Sequence, residues 1–244
     1  MTDTANRWLS EHDRSPIDFF LGHADELLME RARAIQILCA LFQVHFAGRS
    51  ALRLLDLGSG NGIVSRVLLD RFPGHSVDLI DGSSVMLDEA RKQLAGFACN
   101  FIQRTFEEHL ELAPDEQRYD FIYSSMALHH LSHRDKLRMY AGLYTSLRFG
   151  GLFVNYDVVK PPSERTEAWA FQLWRDWMNE NLVRQGRTAE VGKHDGLPDV
   201  YKFKAENKPS GLVEQLAALQ EVGFRDVDCY FKYGIFAVFG GTKT

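Results

Sequence analysis

From Ala51 onward, short apolar runs alternate with segments whose apolar residues recur every three or four positions. The first kind reads as strand and the second as helix. The pattern predicts strands over 52–57, 76–81, 99–104, 119–125 and 151–158, with helices at 61–72, 84–95 and 133–148 between them. A helix at 211–222, with Leu212, Leu216 and Leu219 in register, precedes two closing strands at 226–232 and 234–240. Such alternation predicts an α/β fold, a doubly wound parallel sheet with helices on both faces. Gly234 separates the last two runs, so they read as a hairpin whose final strand is antiparallel to the others.

Two segments stand outside this alternation. Residues 1–49 are helical in pattern, with Leu28, Ile35, Leu38 and Phe42 on one face and Asp25, Glu26, Glu30 and Arg31 away from it. Residues 160–209 are inserted between the fifth strand and the helix at 211–222, and Lys160-Pro161-Pro162 marks the break. The first half of the insertion carries Phe171, Trp174, Trp177 and Met178 at helical spacing. The second half, Gly192–Pro209, reads as an irregular loop containing Tyr201 and Phe203. The expected organisation is therefore a helical cap (1–49) and a domain over 50–244 that bears a second cap element at 160–209. Placed over the carboxyl ends of the strands, the two cap parts would enclose an apolar or aromatic small molecule.

Composition narrows the classes without choosing one. The 244 residues are 45% hydrophobic and 25% charged, enough for one domain with a sizeable core. A net charge of −5 gives no general pull toward nucleic acid or an anionic membrane. Cys39, Cys99 and Cys229 are odd in number and far apart, and read as buried thiols of a reducing compartment. The polar stretch MTDTANRWLSEHDRS does not read as a secretory signal, and no apolar run is long enough to span a bilayer. A cytoplasmic location is the expectation.

The candidate chemistry begins at residues 54–62, Leu-Leu-Asp-Leu-Gly-Ser-Gly-Asn-Gly. Strand, glycine turn and helix in this order let backbone amides approach a ligand where side chains would block them. A dinucleotide fingerprint would need its third glycine where Ile63 stands. Asp81 closes the second strand, where a carboxylate can accept both hydroxyls of a ribose. Ser124 stands at the carboxyl end of a central strand, where such sheets bind ligands. His129 reads either as a helix-start histidine bonded to backbone or as a group facing the reacting centre. His129 and His133 are four apart, but no carboxylate or cysteine completes a metal motif.

The D-x-G-x-G-x-G pattern at Asp56–Gly62 resembles motif I of the class I S-adenosylmethionine-dependent methyltransferases, a Rossmann-like family. The resemblance covers 50–159 by motif and 211–240 by pattern, and implies S-adenosylmethionine as cofactor. It implies that Gly58, Ser59 and Gly60 lie beside the amino-acid part of the cofactor and that Asp56 holds its ammonium. Asp81-Gly82-Ser83-Ser84-Val85-Met86-Leu87 is similar to the D-x-S-x-x-M-L loop of small-molecule members, which implies Met86 against adenine. After the third strand the family has an acid, then a residue whose amide meets adenine, and this chain has Thr105-Phe106. Ser125 to Leu131 resembles the S-x-x-L-H-H-L ending of this type, whose first histidine turns toward the reacting centre. The implied reaction is in-line transfer of a methyl group to a small acceptor, in which the protein mainly supplies alignment and exclusion of water.

Neither N-P-P-Y nor D-P-P-Y follows the fourth strand, which argues against base methylation of DNA. Two alternatives remain. One is a protein that binds S-adenosylmethionine without transfer. The other is an enzyme similar to the carboxy-S-adenosylmethionine synthases, suggested by Gly223–Val227 and Tyr233–Ala237. Those synthases use an arginine-containing stretch for the added carboxylate, and Val191–Lys204 offers only lysines and His194.

Overall fold

The computed structural model describes residues 7–9 and 14–244; the readings of 1–6 and 10–13 lie outside the described residues. Two helices come first, α1 (Ser15–Leu27) and α2 (Arg31–His45). Strand–helix alternation then runs β1 (Arg53–Leu57), α3 (Ile63–Arg71), β2 (Ser76–Asp81), α4 (Ser84–Gln93), β3 (Ala98–Gln103), α5 (Phe106–Leu110), β4 (Tyr119–Ser125), α6 (His133–Ser146) and β5 (Leu147–Val158). The insertion contributes α7 (Glu164–Arg184) and α8 (Leu197–Phe203), and α9 (Leu212–Val222), β6 (Arg225–Tyr233) and β7 (Phe236–Lys243) close the chain.

The seven strands form one sheet in the order β3-β2-β1-β4-β5-β7-β6. Strands β1 to β5 are mutually parallel, and β7 lies antiparallel between β5 and β6, as the hairpin reading expects. The chain winds outward from β1 to β3, then crosses back to place β4 on the other side of β1. The switch point therefore falls between β1 and β4, where the loops part and a ligand crevice opens at the strand ends.

Burial follows the pattern. Leu54, Leu55 and Leu57 of β1 and Phe121, Ile122 and Tyr123 of β4 are all buried, as central strands covered on both faces require. One apolar cluster lies on the α2 side, around Leu38, Phe42, Phe121 and Val154; a second lies on the α6 and α9 side, around Leu143, Phe153, Leu219 and Phe239.

Three local expectations are corrected. The fifth strand begins at Leu147, not 151: Tyr119 pairs Leu147 while Phe121 pairs Leu152, so Gly150-Gly151 is a bulge within the strand rather than its start. Gly150 has φ +72°, and a side chain at Gly151 would meet the Asp120 carbonyl 3.0 Å away. Within Gly192–Pro209, residues 197–203 form a helix with Pro198 in its first turn, a position where proline's missing N–H costs nothing. Of the three cysteines, all free thiols, only Cys39 is fully buried.

Helix α7 starts where Ser163 Oγ accepts from the Thr166 amide at 3.2 Å, just after the proline pair. Its buried face carries Phe171, Trp174, Trp177 and Met178, and holds the junction between α1 and α2. Trp174 Nε1 donates to the Leu27 carbonyl (2.6 Å), Trp177 Nε1 to Glu30 Oε1 (3.0 Å), and Asn181 Nδ2 to the Asp25 carbonyl (3.1 Å). Each indole thereby covers apolar surface while its N–H satisfies an oxygen that would otherwise be left buried.

Candidate functional site

The glycine turn leaves β1 with Gly58, Gly60 and Gly62 all at positive φ (+71°, +52° and +74°). The Gly58 and Ser59 amides donate to the Ile80 carbonyl at 2.8 and 3.0 Å, which pins the turn to the end of β2. A side chain at Gly58 would collide with Ala127 Cβ and approach Phe106 Cζ to 3.0 Å. Glycine is required there by conformation and by space alike.

Asp81 joins this turn to the next one. Its Oδ2 accepts from the Gly60 amide and its Oδ1 from the Ser83 amide, both at 2.8 Å. Burial pushes its pKa up, and the two amide donors pull against that. Ser83 caps α4 by accepting from the Met86 amide at 3.3 Å, and so fixes Met86 beside the turn. Across from Met86, Thr105 caps α5 in a reciprocal box: Glu108 N donates to its hydroxyl (3.2 Å) and its own amide donates to Glu108 Oε2 (2.8 Å). Its hydroxyl is thus already used once within the chain. The acid that the family carries at this position is absent.

These parts line one cavity of about 620 Å³. Gly58, Ser59, Gly60, Asp81, Gly82, Met86, Thr105, Phe106 and His129 all line it. Asp56 and Ser124 do not, which corrects their expected placement. The Asp56 carboxylate turns away from the turn and accepts from Ser65 Oγ at 2.6 Å, and Ser65 Oγ is 2.7 Å from Tyr123 Oη. Burial lifts the Asp56 pKa to about 7, against the lowering pull of Ser65. Ser124 Oγ donates to the Leu57 carbonyl at 2.7 Å and ties β4 to β1, while its neighbour Ser125 reaches the cavity.

The wall opposite the glycine turn comes from the N-terminal helices and the insertion. It includes Phe19, Leu27, Arg31, Trp174, Leu197 and Tyr201. His129 stands between the two walls on a short turn, Leu128–His130. Its Nδ1 donates to Asp157 Oδ1 at 2.6 Å, and the Val158 amide donates to the same oxygen at 2.8 Å. Asp157 is buried, yet His129 and Lys136 hold its pKa below the usual carboxylate value against the upward pull of burial. Of the two readings of His129, bonding to backbone and facing the site, the observed partner is a carboxylate.

Four residues in or behind this wall were not assigned to the site from the sequence: Arg31 and Tyr201 line the cavity, and Asp157 and Lys136 lie behind it. Asp157 had a visible signal, a lone acid at the end of the apolar run Leu152–Val159. Arg31, Tyr201 and Lys136 had none, because each is placed by the tertiary path of its segment. Arg31 lines the cavity and pairs with the exposed Asp25 carboxylate at 2.6 Å. His194 of Val191–Lys204 does not reach the cavity; its Nε2 lies 3.4 Å from Glu26.

Comparison with known proteins agrees with this architecture. Residues 54–151 match the family model of the methyltransferase domain. The chain is 33% identical over 99 residues to malonyl-[acyl-carrier protein] O-methyltransferase 1 of Ilyobacter polytropus, covering 40% of this chain and 35% of that protein. It is 33% identical over 161 residues to trans-aconitate 2-methyltransferase of Paracidovorax citrulli, covering 64% of this chain and 57% of that protein. The chain thus spans roughly a third to just over half the length of these curated relatives. The crystal structure of a putative S-adenosyl-L-methionine-dependent methyltransferase from Methanococcus maripaludis shares the fold, with TM-score 0.62 at 17% identity over 100% of this chain and 97% of that one. Residues 54–151 thus match a methyltransferase domain, and the chain as a whole shares the fold of the class I S-adenosylmethionine-dependent methyltransferases.

The cofactor of this class is S-adenosylmethionine, and the cavity fits it. A carboxylate at the end of β2 suits the ribose diol, Met86 and Phe106 supply an apolar wall for the base, and the turn at Gly58 admits close approach. The guanidinium of Arg31 suits the cofactor's carboxylate. Among the described residues no helix is long and apolar enough to cross a membrane.

Proposed function

We propose that this protein transfers a methyl group from S-adenosylmethionine to a small apolar or aromatic acceptor, in a cytoplasm. The observation that supports the reading best is the single cavity. The glycine turn, Asp81 and Met86 belong to one wall, Trp174 and Tyr201 to the other, and His129 stands between them. Donor and acceptor are thereby brought into one enclosure with no barrier of protein between them.

When bound, S-adenosylmethionine supplies a methyl carbon on a positively charged sulfur, ready for displacement by a lone pair of the acceptor. The chain's residues do the rest. Asp81 holds the ribose, and Met86 and Phe106 sandwich the adenine. Gly58, Ser59, Gly60 and Arg31 hold the amino-acid end. Gly82 is small where the chain closes over the ribose: a side chain there would meet Leu9 Cδ2 at 2.6 Å. Asp56 and Ser124 keep the turn and strand ends in place from behind. His129, with Nδ1–H bound to Asp157, keeps Nε2 as a proton acceptor for an acceptor group that must lose a proton.

Residues 1–49 and 160–209 act as a cap on the domain over 50–244, and their aromatic side chains exclude water from the reacting centre. The free thiols support the location. The relatives are named for malonyl-[acyl-carrier protein] and trans-aconitate, so acids of that kind belong in any acceptor screen.

The test is calorimetry with S-adenosylhomocysteine, NAD and ATP, followed by turnover of S-adenosylmethionine in metabolite extracts. Tight S-adenosylhomocysteine binding with formation of methylated product supports the reading. Binding without any turnover points to a sensor, preferential binding of NAD overturns the cofactor, and a carboxylated sulfonium formed from prephenate overturns the reaction.

A further inference from the structure

Thr105 and Phe106 both line the cavity, at the end assigned above to the base. The polar atoms of Thr105 are spent on starting α5. Its hydroxyl accepts from the Glu108 amide at 3.2 Å, and its own amide donates to Glu108 Oε2 at 2.8 Å. Its methyl group faces Gly82 instead: a Cβ built at Gly82 would lie 3.3 Å from Thr105 Cγ2. Gly82 and Leu9, whose Cδ2 would meet the same Cβ at 2.6 Å, line the cavity as well. The strongest acceptor that position 105 can offer a ligand is thus a neutral hydroxyl already bonded once, and a hydroxyl donates as readily as it accepts.

Two charged side chains flank Thr105 on the cavity lining, and neither supplies what it lacks. Arg104 is a donor only, so an amino group finds no acceptor there. Glu107 is exposed, and it also lines a separate surface groove with Leu131, Asp135 and Arg138. A hydrogen bond to an exposed carboxylate replaces one to water and adds little. The other carboxylates of the cavity are occupied elsewhere. Asp81 accepts from the Gly60 and Ser83 amides at the ribose end, and Glu206 lies by His130, whose Nδ1 donates to its carbonyl at 3.0 Å. A site selects an amine strongly only when a buried acceptor is left unpaired in its absence.

We propose that this chain holds the purine of its cofactor by the faces of the ring and leaves the 6-amino group unread, with Thr105 as the residue that sets this tolerance. The inference rests on the methyl-transfer reading above, which puts the base between Met86 and Phe106. It deepens that reading by naming the ligand class, purine nucleoside cofactors with or without the amine. Contacts of a thioether and a phenyl ring with the purine face are nearly the same in both cases. Thr105→Asp would change the balance. Aspartate caps a helix as well as threonine does, so one oxygen keeps the Glu108 amide. The second oxygen replaces the methyl group and gives the amine a charged acceptor, which a purine without the amine leaves empty.

The test is calorimetry on the full chain with S-adenosylhomocysteine and with its analogue that carries hydrogen in place of the 6-amino group. Both ligands keep the ring nitrogens, the ribose and the amino-acid end. The native chain should bind the two within about fivefold of each other. Thr105→Asp should favour S-adenosylhomocysteine by roughly tenfold or more, and its binding of that ligand shows that the variant is folded. A native preference for S-adenosylhomocysteine beyond about fivefold, or a Thr105→Asp variant whose preference rises by less than that, would overturn the proposal. If the variant does not fold, the native comparison decides alone. If neither ligand binds the native chain, the methyl-transfer reading fails first and takes this inference with it.

Discussion

His129 Nδ1 donates to Asp157 Oδ1 at 2.6 Å, a bond between the turn that follows β4 and the end of the neighbouring strand β5. The register Ser124 to Asn155 and Ser125 to Tyr156 carries both strands to the same level, and the turn Leu128–His130 then brings the imidazole to Asp157. The bond fixes the imidazole tautomer and its orientation, and the buried carboxylate stabilises the protonated ring.

His129→Ala is therefore expected to lower turnover by roughly two to four decades. Asp157→Asn, which removes the charge but keeps the shape, should lower it by roughly two decades. Neither should change S-adenosylhomocysteine affinity by more than a few-fold. Steady-state rates beside calorimetry check this, and an unchanged rate for His129→Ala would mean that alignment and water exclusion suffice.

Asp81 and Gly58 test the cofactor wall from two directions. Asp81→Ala removes the carboxylate proposed for the ribose, which also accepts from the Gly60 and Ser83 amides. Its expected cost is roughly 1.5–3 kcal/mol, or one to two decades in S-adenosylhomocysteine affinity. Gly58→Ala sets a side chain against Ala127 at φ +71°, so the turn must move. It should lose roughly tenfold or more in affinity and also lower the melting temperature. An Asp81→Ala protein that binds as tightly as the native one would remove the ribose assignment.

The strands, their order of appearance and the antiparallel ending were legible because alternating and continuous apolar runs have distinct periods. The glycine turn and Asp81 were legible because each lies within its own local motif, Asp56–Gly62 and Asp81–Leu87. What the sequence hid was direction. Asp56 stands two residues before Gly58, yet alternation along a strand sends its carboxyl toward Ser65 on α3 and away from the turn. Ser124 and Ser125 differ in the same way, the first tied to Leu57 and the second facing the cavity. Tyr201 and Arg31 reach the site only through the fold of the insertion and the α1–α2 junction, which no local pattern encodes.

Asp56 gives a pH signature of its own. Its native pKa is raised to about 7, whereas the unfolded chain titrates it near 3.8. Between those values the native state holds the extra proton, so this residue's contribution is fully present below about pH 4. It is lost as pH rises through 7, by up to roughly 4 kcal/mol. Asp56→Asn should flatten that fall, and chemical denaturation of both proteins from pH 4 to 8 measures it. Because Asp56 does not line the cavity, the same variant should keep S-adenosylhomocysteine affinity within a few-fold. A decade or more of lost affinity would return Asp56 to the binding site.

Lys136 governs the strap that closes the acceptor wall. Its buried ammonium donates to the Leu131 carbonyl (2.7 Å), the Lys208 carbonyl (2.5 Å) and Ser210 Oγ (3.2 Å). The strap also bonds to the His129 turn, through the Lys208 amide to the His129 carbonyl at 2.7 Å. No side chain from Lys204 to Pro209 is fully buried, so this segment is held by hydrogen bonds rather than by apolar burial. Lys136→Met keeps the volume and removes all three donors. Burial disfavours the ammonium, lowering its pKa to about 8, but its removal leaves three oxygens without their donor, and that cost should fall on the strap. Hydrogen exchange over 204–211 is expected to quicken by roughly tenfold or more while the sheet amides stay protected. The acceptor KM should rise while S-adenosylhomocysteine affinity holds. If exchange in the strap is unchanged, the segment is held by contacts other than Lys136, and the lysine is only a filler beneath it.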